Sequence, residues 1–128
     1  LQWQPIKRSV PKTGEVEIYI HATGLNFRDV LNALDLYPGD AGALGCECVG
    51  EIVAVGEGVQ DLEIGQSVIA IANGSFSHYV TVNALLVAPK PENLNFSEAA
   101  TLPVAFLTAY YSLHHLAKIK KGDVVLIH

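Results

Sequence analysis

The side chains that could do chemistry in this chain fall into two groups. One is the polar and aromatic run Asn26-Phe27-Arg28-Asp29, with Tyr37 a short way on; these residues could line a cleft. The other is the set of metal donors, Cys46, Cys48 and five histidines. Zinc sites draw on ligands at short spacings, and neither C-x-x-C nor H-x-x-x-H occurs. His114 and His115 are adjacent, and successive residues on a helix diverge by about 100°, so they face different ways. The expectation is no bound metal. Nucleophile and phosphate-loop signals are missing as well, with no G-x-S-x-G elbow and no Walker loop. Gly56-Glu57-Gly58 matches part of a dinucleotide-binding pattern, but no third glycine or helix follows, so it reads as a turn. On residue types and spacing the catalytic residues are unknown.

Composition narrows the partners. The chain has 128 residues, enough for one modest domain, with 50% hydrophobic residues and a net charge of −5. Without a Lys/Arg cluster, nucleic acid and anionic membranes are poor partners. Leu1-Gln2-Trp3-Gln4-Pro5 has no signal-peptide character, and no apolar run approaches the ~20 residues of a membrane span. Cys46 and Cys48, two apart on one strand face, are too close in sequence for an unstrained disulfide. They are expected to be reduced, buried thiols of a cytoplasmic protein.

The elements that must position these residues centre on Leu44–Val59, which reads as one long strand rich in Val and Ile. Gly45 and Gly50 mark a bulge or a close backbone approach. Glu15 to Thr23 alternates, with Val16, Ile18, Ile20 and Ala22 on the apolar face and His21 on the polar one. Gly24 ends that strand, and Asn26 is expected to cap a short helix with Val30, Leu31 and Leu34 on one face. Asp35 to Leu44 is a loop that could border a binding cleft. Asn73-Gly74-Ser75 signals a hairpin between Ser67–Ile71 and the alternating Phe76–Val82. Leu85–Ala88 reads as a further short strand before Pro89 and Pro91. Many short strands at close spacing predict a mainly β fold, a partly closed barrel with short helices.

The character changes near residue 93. Asn95 or Ser97 can cap a helix, and Pro103 breaks or restarts it. Val104 to Leu116 is apolar almost all round, which predicts a helix buried on more than one side. After Gly122, Asp123–His128 reads as a buried parallel strand, the opening of an α/β domain, and the chain looks cut there. Residues 1–15 read as a leading segment, with Trp3 and Ile6 packed on the body.

Four motifs carry a resemblance: Gly24-Leu25-Asn26-Phe27-Arg28-Asp29-Val30-Leu31, then Leu44-Gly45-Cys46-Glu47-Cys48-Val49-Gly50-Glu51-Ile52, then Gly74–Val80, then Glu98–Tyr111 with Gly122–His128. Together they resemble the zinc-free, quinone oxidoreductase-like branch of the medium-chain dehydrogenase/reductase superfamily, and within it an enoyl reductase domain of a polyketide synthase. The resemblance implies a GroES-like substrate domain over 1–98 and the start of a truncated NADPH-binding Rossmann domain over 99–128. It implies NADPH-dependent reduction of an α,β-unsaturated thioester on an acyl carrier protein, with other polyketide synthase domains as partners and a homodimer as one assembly. The 128 residues alone would have little activity.

The resemblance also assigns residues. Zinc members have a cysteine ligand at the position of Asn26 and a histidine ligand at that of Cys46, so no catalytic zinc is implied. Asn26 would border the nicotinamide and Thr108 would approach the cofactor; Phe27 and Tyr37 would shape the acyl pocket. Some polyketide enoyl reductases have a proton-donating tyrosine where this chain has Phe27, so the proton must come from elsewhere. That leaves reductive closure of a cyclopropane ring as an alternative outcome, and a free-standing quinone or enone oxidoreductase as an alternative enzyme. A GroES-like binding module without catalysis is the alternative outside enzymes; it needs a long mobile loop, and Asp35–Leu44 is short.

Overall fold

The computed structural model describes Gln2 and residues 4–127. Strand β1 spans Glu15–Thr23 and helix α1 Phe27–Ala33. Strands β2 (Glu47–Val55), β3 (Ser67–Ile71), β4 (Tyr79–Asn83) and β5 (Val87–Pro89) follow. Helices α2 (Phe96–Ala99) and α3 (Pro103–Tyr110) close the series, the latter running into a π-turn at Tyr111–Leu116. The strands form one antiparallel sheet in the order β4-β1-β2-β3-β5. β4 and β5 lie at opposite edges, so the fold is mainly β as expected but the sheet does not close.

Both faces of the sheet are used. Val16, Ile18, Cys48, Ile52, Val68, Ala70 and Val82 make the larger core, with Ile20 and Val80 packed against it. Burying each such Val or Ile side chain favours folding by roughly 1.5–3 kcal/mol. On the other face Val49 packs with Ala99 and Ala100 of the α2 region, backed by Ala22, Ile69 and Phe96. β2 is therefore apolar at consecutive positions because Cys48 serves one core and Val49 the other. Asn95 and Glu98 fix the start of α2 by exchanging side-chain and main-chain hydrogen bonds, each 2.9 Å.

Several expectations need correction. Ala22 does not share the face of Val16 and Ile18: a bulge at His21, between the pairs Ile20↔Gly50 and Ala22↔Val49, turns the strand over. Gly50 does mark a close approach, since a Cβ there would overlap the Tyr19 carbonyl. Asn73-Gly74-Ser75 is a turn but not a hairpin, because β3 pairs with β2 and β5 while β4 pairs with β1. The strand expected over Phe76–Val82 begins only at Tyr79, and Leu85 and Leu86 lie in a 3₁₀ turn before β5. In α1 the buried residue is Asp29; Val30 and Leu34 are exposed.

The helix expected to be buried is not. Phe106, Leu107, Tyr110, Tyr111, Leu113 and Leu116 are all exposed; His114 stacks on Tyr110 and His115 on Tyr111, each at 5.0 Å. Val124–Ile127 is exposed and forms no strand, since a strand needs a neighbour to bond and none lies beside it among the described residues. Ile6 is 77% exposed rather than packed on the body. Trp3 and His128 lie outside the described residues. Among those residues no helix is long and apolar enough to cross a membrane.

Candidate functional site

The chemistry-bearing residues converge where α1, the approach to β2 and the start of α3 meet. α1 is short, and polar contacts hold its first turn. The Asp29 carboxylate, 3% exposed, accepts from the Asn26 N–H at 3.0 Å through Oδ2 and from the Gly45 N–H at 2.8 Å through Oδ1. One side chain therefore caps the helix and ties it to the segment leading into β2. Gly45 has a φ of +91°, and a Cβ there would overlap Ser75 Oγ and the Phe76 main chain. Only glycine meets both demands. The Asn-Gly turn at 73–74 docks against this point, with Gly74 N–H donating to the Gly45 carbonyl at 3.0 Å.

Glu47 stands at the centre. It is 4% exposed, and each carboxylate oxygen has one donor: Oε1 accepts from Asn26 Nδ2 at 2.8 Å, Oε2 from the Val104 N–H at 2.8 Å. Val104 lies in the first turn of α3, whose free N–H groups favour a negative charge. The Glu47 main-chain carbonyl is held from the other side by Thr23 Oγ1 at 2.6 Å and by Ser75 Oγ at 2.9 Å. A Cβ on Gly24 would overlap the Glu47 carboxylate, so glycine after β1 is what leaves the carboxylate room.

Arg28 organises the neighbouring loop. Its Nη1 donates to Cys46 Sγ at 3.2 Å, its Nη2 to the Ala41 carbonyl, and its guanidinium lies 5.8 Å from the Tyr37 ring centre. Asn32 Nδ2 donates to the Gly42 carbonyl at 2.9 Å, and Asp40 Oδ1 accepts from the Gly42 N–H at 2.8 Å. The Asp35–Leu44 loop is thus tied down at several points. Cys46 precedes β2 and is half-buried under Arg28, not fully buried like Cys48; both thiols are free. Burial, and secondly the Glu47 charge, push the Cys48 thiol up from 9.0 to about 12, so it stays neutral. At the two positions where the resemblance implied zinc ligands in other members, Asn26 is bonded to Glu47 and Cys46 faces a guanidinium. A cation placed at Cys46 would meet that positive charge, so this donor set does not fit a metal.

Of the residues expected to form the site, Asn26 and Phe27 stand together at the head of α1. Phe27 is 74% exposed and offers a bare aromatic face. Tyr37 lies across the Arg28 loop and lines a cavity of about 210 Å³ with Asn32, Asp35 and Asp40. Thr108 is exposed on α3, one turn past Val104, whose N–H shares the Glu47 carboxylate with Asn26. A larger groove of about 980 Å³ runs along β4, lined in part by Arg8, Glu17, Phe76 and Tyr79. There Arg8 grips the buried Glu17 at 2.6 and 2.9 Å, and this hydrogen bonding raises the arginine's pKa further. Sequence reasoning missed Glu47. Its signal was present, an acid between two cysteines on an apolar strand and two residues after a glycine.

The alcohol dehydrogenase GroES-like domain family matches residues 12–92. A component of the phenolphthiocerol/phthiocerol polyketide synthase of Mycobacterium tuberculosis is 45% identical over 126 residues, which are 96% of this chain and 6% of that protein. Among solved structures, CurK enoyl reductase superposes with a TM-score of 0.88 at 45% identity, covering 95% of this chain and 40% of that one. The CurF enoyl reductase cyclopropanase of the curacin A pathway gives 0.81 at 39% identity, covering 95% and 41%. Mycobacterial Rv1454c complexed with NADPH gives 0.80 at 32% identity, covering 95% and 38%.

Proposed function

The chain belongs to the medium-chain dehydrogenase/reductase superfamily, as a GroES-like segment of the polyketide synthase enoyl reductase type, and we propose from this premise that it is the substrate-domain portion of an NADPH-dependent enoyl reductase. The proposed substrate is an α,β-unsaturated thioester on the pantetheine of an acyl carrier protein. The observation that carries the reading is the likeness to CurK enoyl reductase over 95% of the chain at 45% identity. Residues 1–98 would be the substrate domain, and 99–128 would begin the cofactor domain. The work would be done in a longer polypeptide, with other polyketide synthase domains and the carrier protein as partners.

The residues present fit a nicotinamide. Asn26 carries an amide able to hydrogen-bond the carboxamide of the ring, and the exposed Phe27 ring beside it is an apolar surface for a planar group. When bound, the nicotinamide supplies hydride to the β-carbon of the acyl chain. Asn26 would orient the ring, while Phe27 and Tyr37 would wall the acyl chain and exclude water. Thr108 would approach the cofactor from α3. Phe27 has no proton to give, so the α-carbon proton would have to come from another group or from water.

The test is to mix the full-length protein with NADPH and a crotonyl thioester of pantetheine, following NADPH oxidation and the mass of the product. A saturated product supports the reading. Turnover of quinones without thioester reduction sinks it in favour of a free-standing oxidoreductase. The likeness to the CurF cyclopropanase, together with Phe27, supports one second reading. A γ-halogenated enoyl thioester yielding a ring product, while crotonyl thioester is spared, would select it.

A further inference from the structure

Glu47 is a buried acid that the proposed reaction does not use directly, yet it joins two parts of the proposed site. A carboxylate can only accept hydrogen bonds. Val104 offers Oε2 a main-chain N–H, which cannot be exchanged for an acceptor. Asn26 must therefore turn its NH₂, and not its C=O, toward Oε1. We propose that Glu47 is a positioning residue for the reduction: it sets the rotation of the Asn26 amide, and so which amide atom Asn26 offers a nicotinamide, while holding the first turn of α3 to the same carboxylate. This rests on the reading of Asn26 as the residue beside the cofactor. Gly24 belongs to the device, because any side chain there would displace the Glu47 carboxylate.

The experiment uses the full-length protein with NADPH and crotonyl-pantetheine. Glu47→Gln preserves shape but replaces one acceptor with a donor. The amide oxygen of the new glutamine must face the Val104 N–H, so its NH₂ faces Asn26, whose own amide has to turn over. The expected result is a fall in kcat/KM of about tenfold or more, the worth of one hydrogen bond at the transition state, with the protein still folded at the assay temperature. Adding Asn26→Asp to Glu47→Gln restores the pattern, since the introduced aspartate accepts from the introduced glutamine and keeps a second oxygen free. That double variant should recover most of the lost rate. Asn26→Asp alone sets two carboxylates face to face, and its activity should rise as pH falls and one of them takes a proton.

Unchanged kcat/KM in Glu47→Gln, or a loss that the double variant does not recover, overturns the proposal. If the parent enzyme reduces no enoyl thioester, the functional reading fails instead. NADPH affinity, read by nicotinamide fluorescence, then decides separately. Affinity that drops in Glu47→Gln and returns in the double variant upholds the role of Glu47, and equal affinity across the variants overturns it.

Discussion

Two short helices begin at the same carboxylate and could hardly be held more differently. α1 has few buried apolar atoms; it is fixed by Asp29, Arg28 and the Asn26–Glu47 contact. α3 is apolar along nearly its whole length, yet its Phe106, Leu107 and Tyr110 face solvent, and its first turn is tied to the sheet by the Val104–Glu47 hydrogen bond. Apolar content says what a helix can bury, and only a partner surface decides what it does bury. A few well-placed polar groups can instead hold a helix that buries almost nothing.

The largest test of this contrast is Glu47→Ala. It leaves the part-buried Asn26 NH₂ and Val104 N–H without their acceptor, at roughly 1–3 kcal/mol each. Urea unfolding should show a loss of about 3 kcal/mol, and amide exchange should quicken at both helix starts. Quickening at only one of them would break the idea of a shared anchor. Gly24→Ala should act by the same route more mildly, at about 2 kcal/mol, with α1 and α3 again loosened together.

The core of the sheet supplies a pH test on which neither helix should bear. Cys48 is neutral when folded, with its pKa raised from 9.0 to about 12. Above pH 9 the unfolded chain releases this proton and the folded chain does not. The contribution is intact below about pH 9 and is lost as pH climbs toward about 12, by about 1.4 kcal/mol per pH unit. Cys48→Ala should flatten that slope although it lowers stability at neutral pH; an unchanged slope would rule out Cys48 as its source. The smallest effect is expected at Phe106→Ser on α3 in the 128-residue chain, within about 0.5 kcal/mol. A clearly larger loss would mean that α3 packs after all.

What could be read in advance follows the same division. β1 was legible because period-two alternation is a direct image of a half-buried strand, and the α2 cap because Asn95 and Glu98 carry their partners within one turn. The motifs Gly24–Leu31 and Leu44–Ile52 pointed to the family. What stayed hidden depends on contacts distant in sequence. Asn73-Gly74 announces a turn but not which strands pair, and here the chain crosses to the far edge of the sheet. The bulge at His21 that moves Ala22 to the other face leaves no mark on the alternation. Nothing local ties Glu47 to Asn26, 21 residues before it, or to Val104, 57 residues after it; only the fold brings them to its two oxygens.

The guanidinium of Arg28 over the Cys46 sulfur carries a consequence for how such a site can change over time. Putting cysteine at position 26 and histidine at position 46 would supply the ligand types of a zinc enzyme, yet with Arg28 in place a fixed positive charge would remain where the incoming ion must settle. Taking Arg28 away first would free Ala41 and loosen the loop before any metal arrived to compensate. A zinc site at positions 26 and 46 is therefore reached only through a less stable intermediate, whichever step comes first.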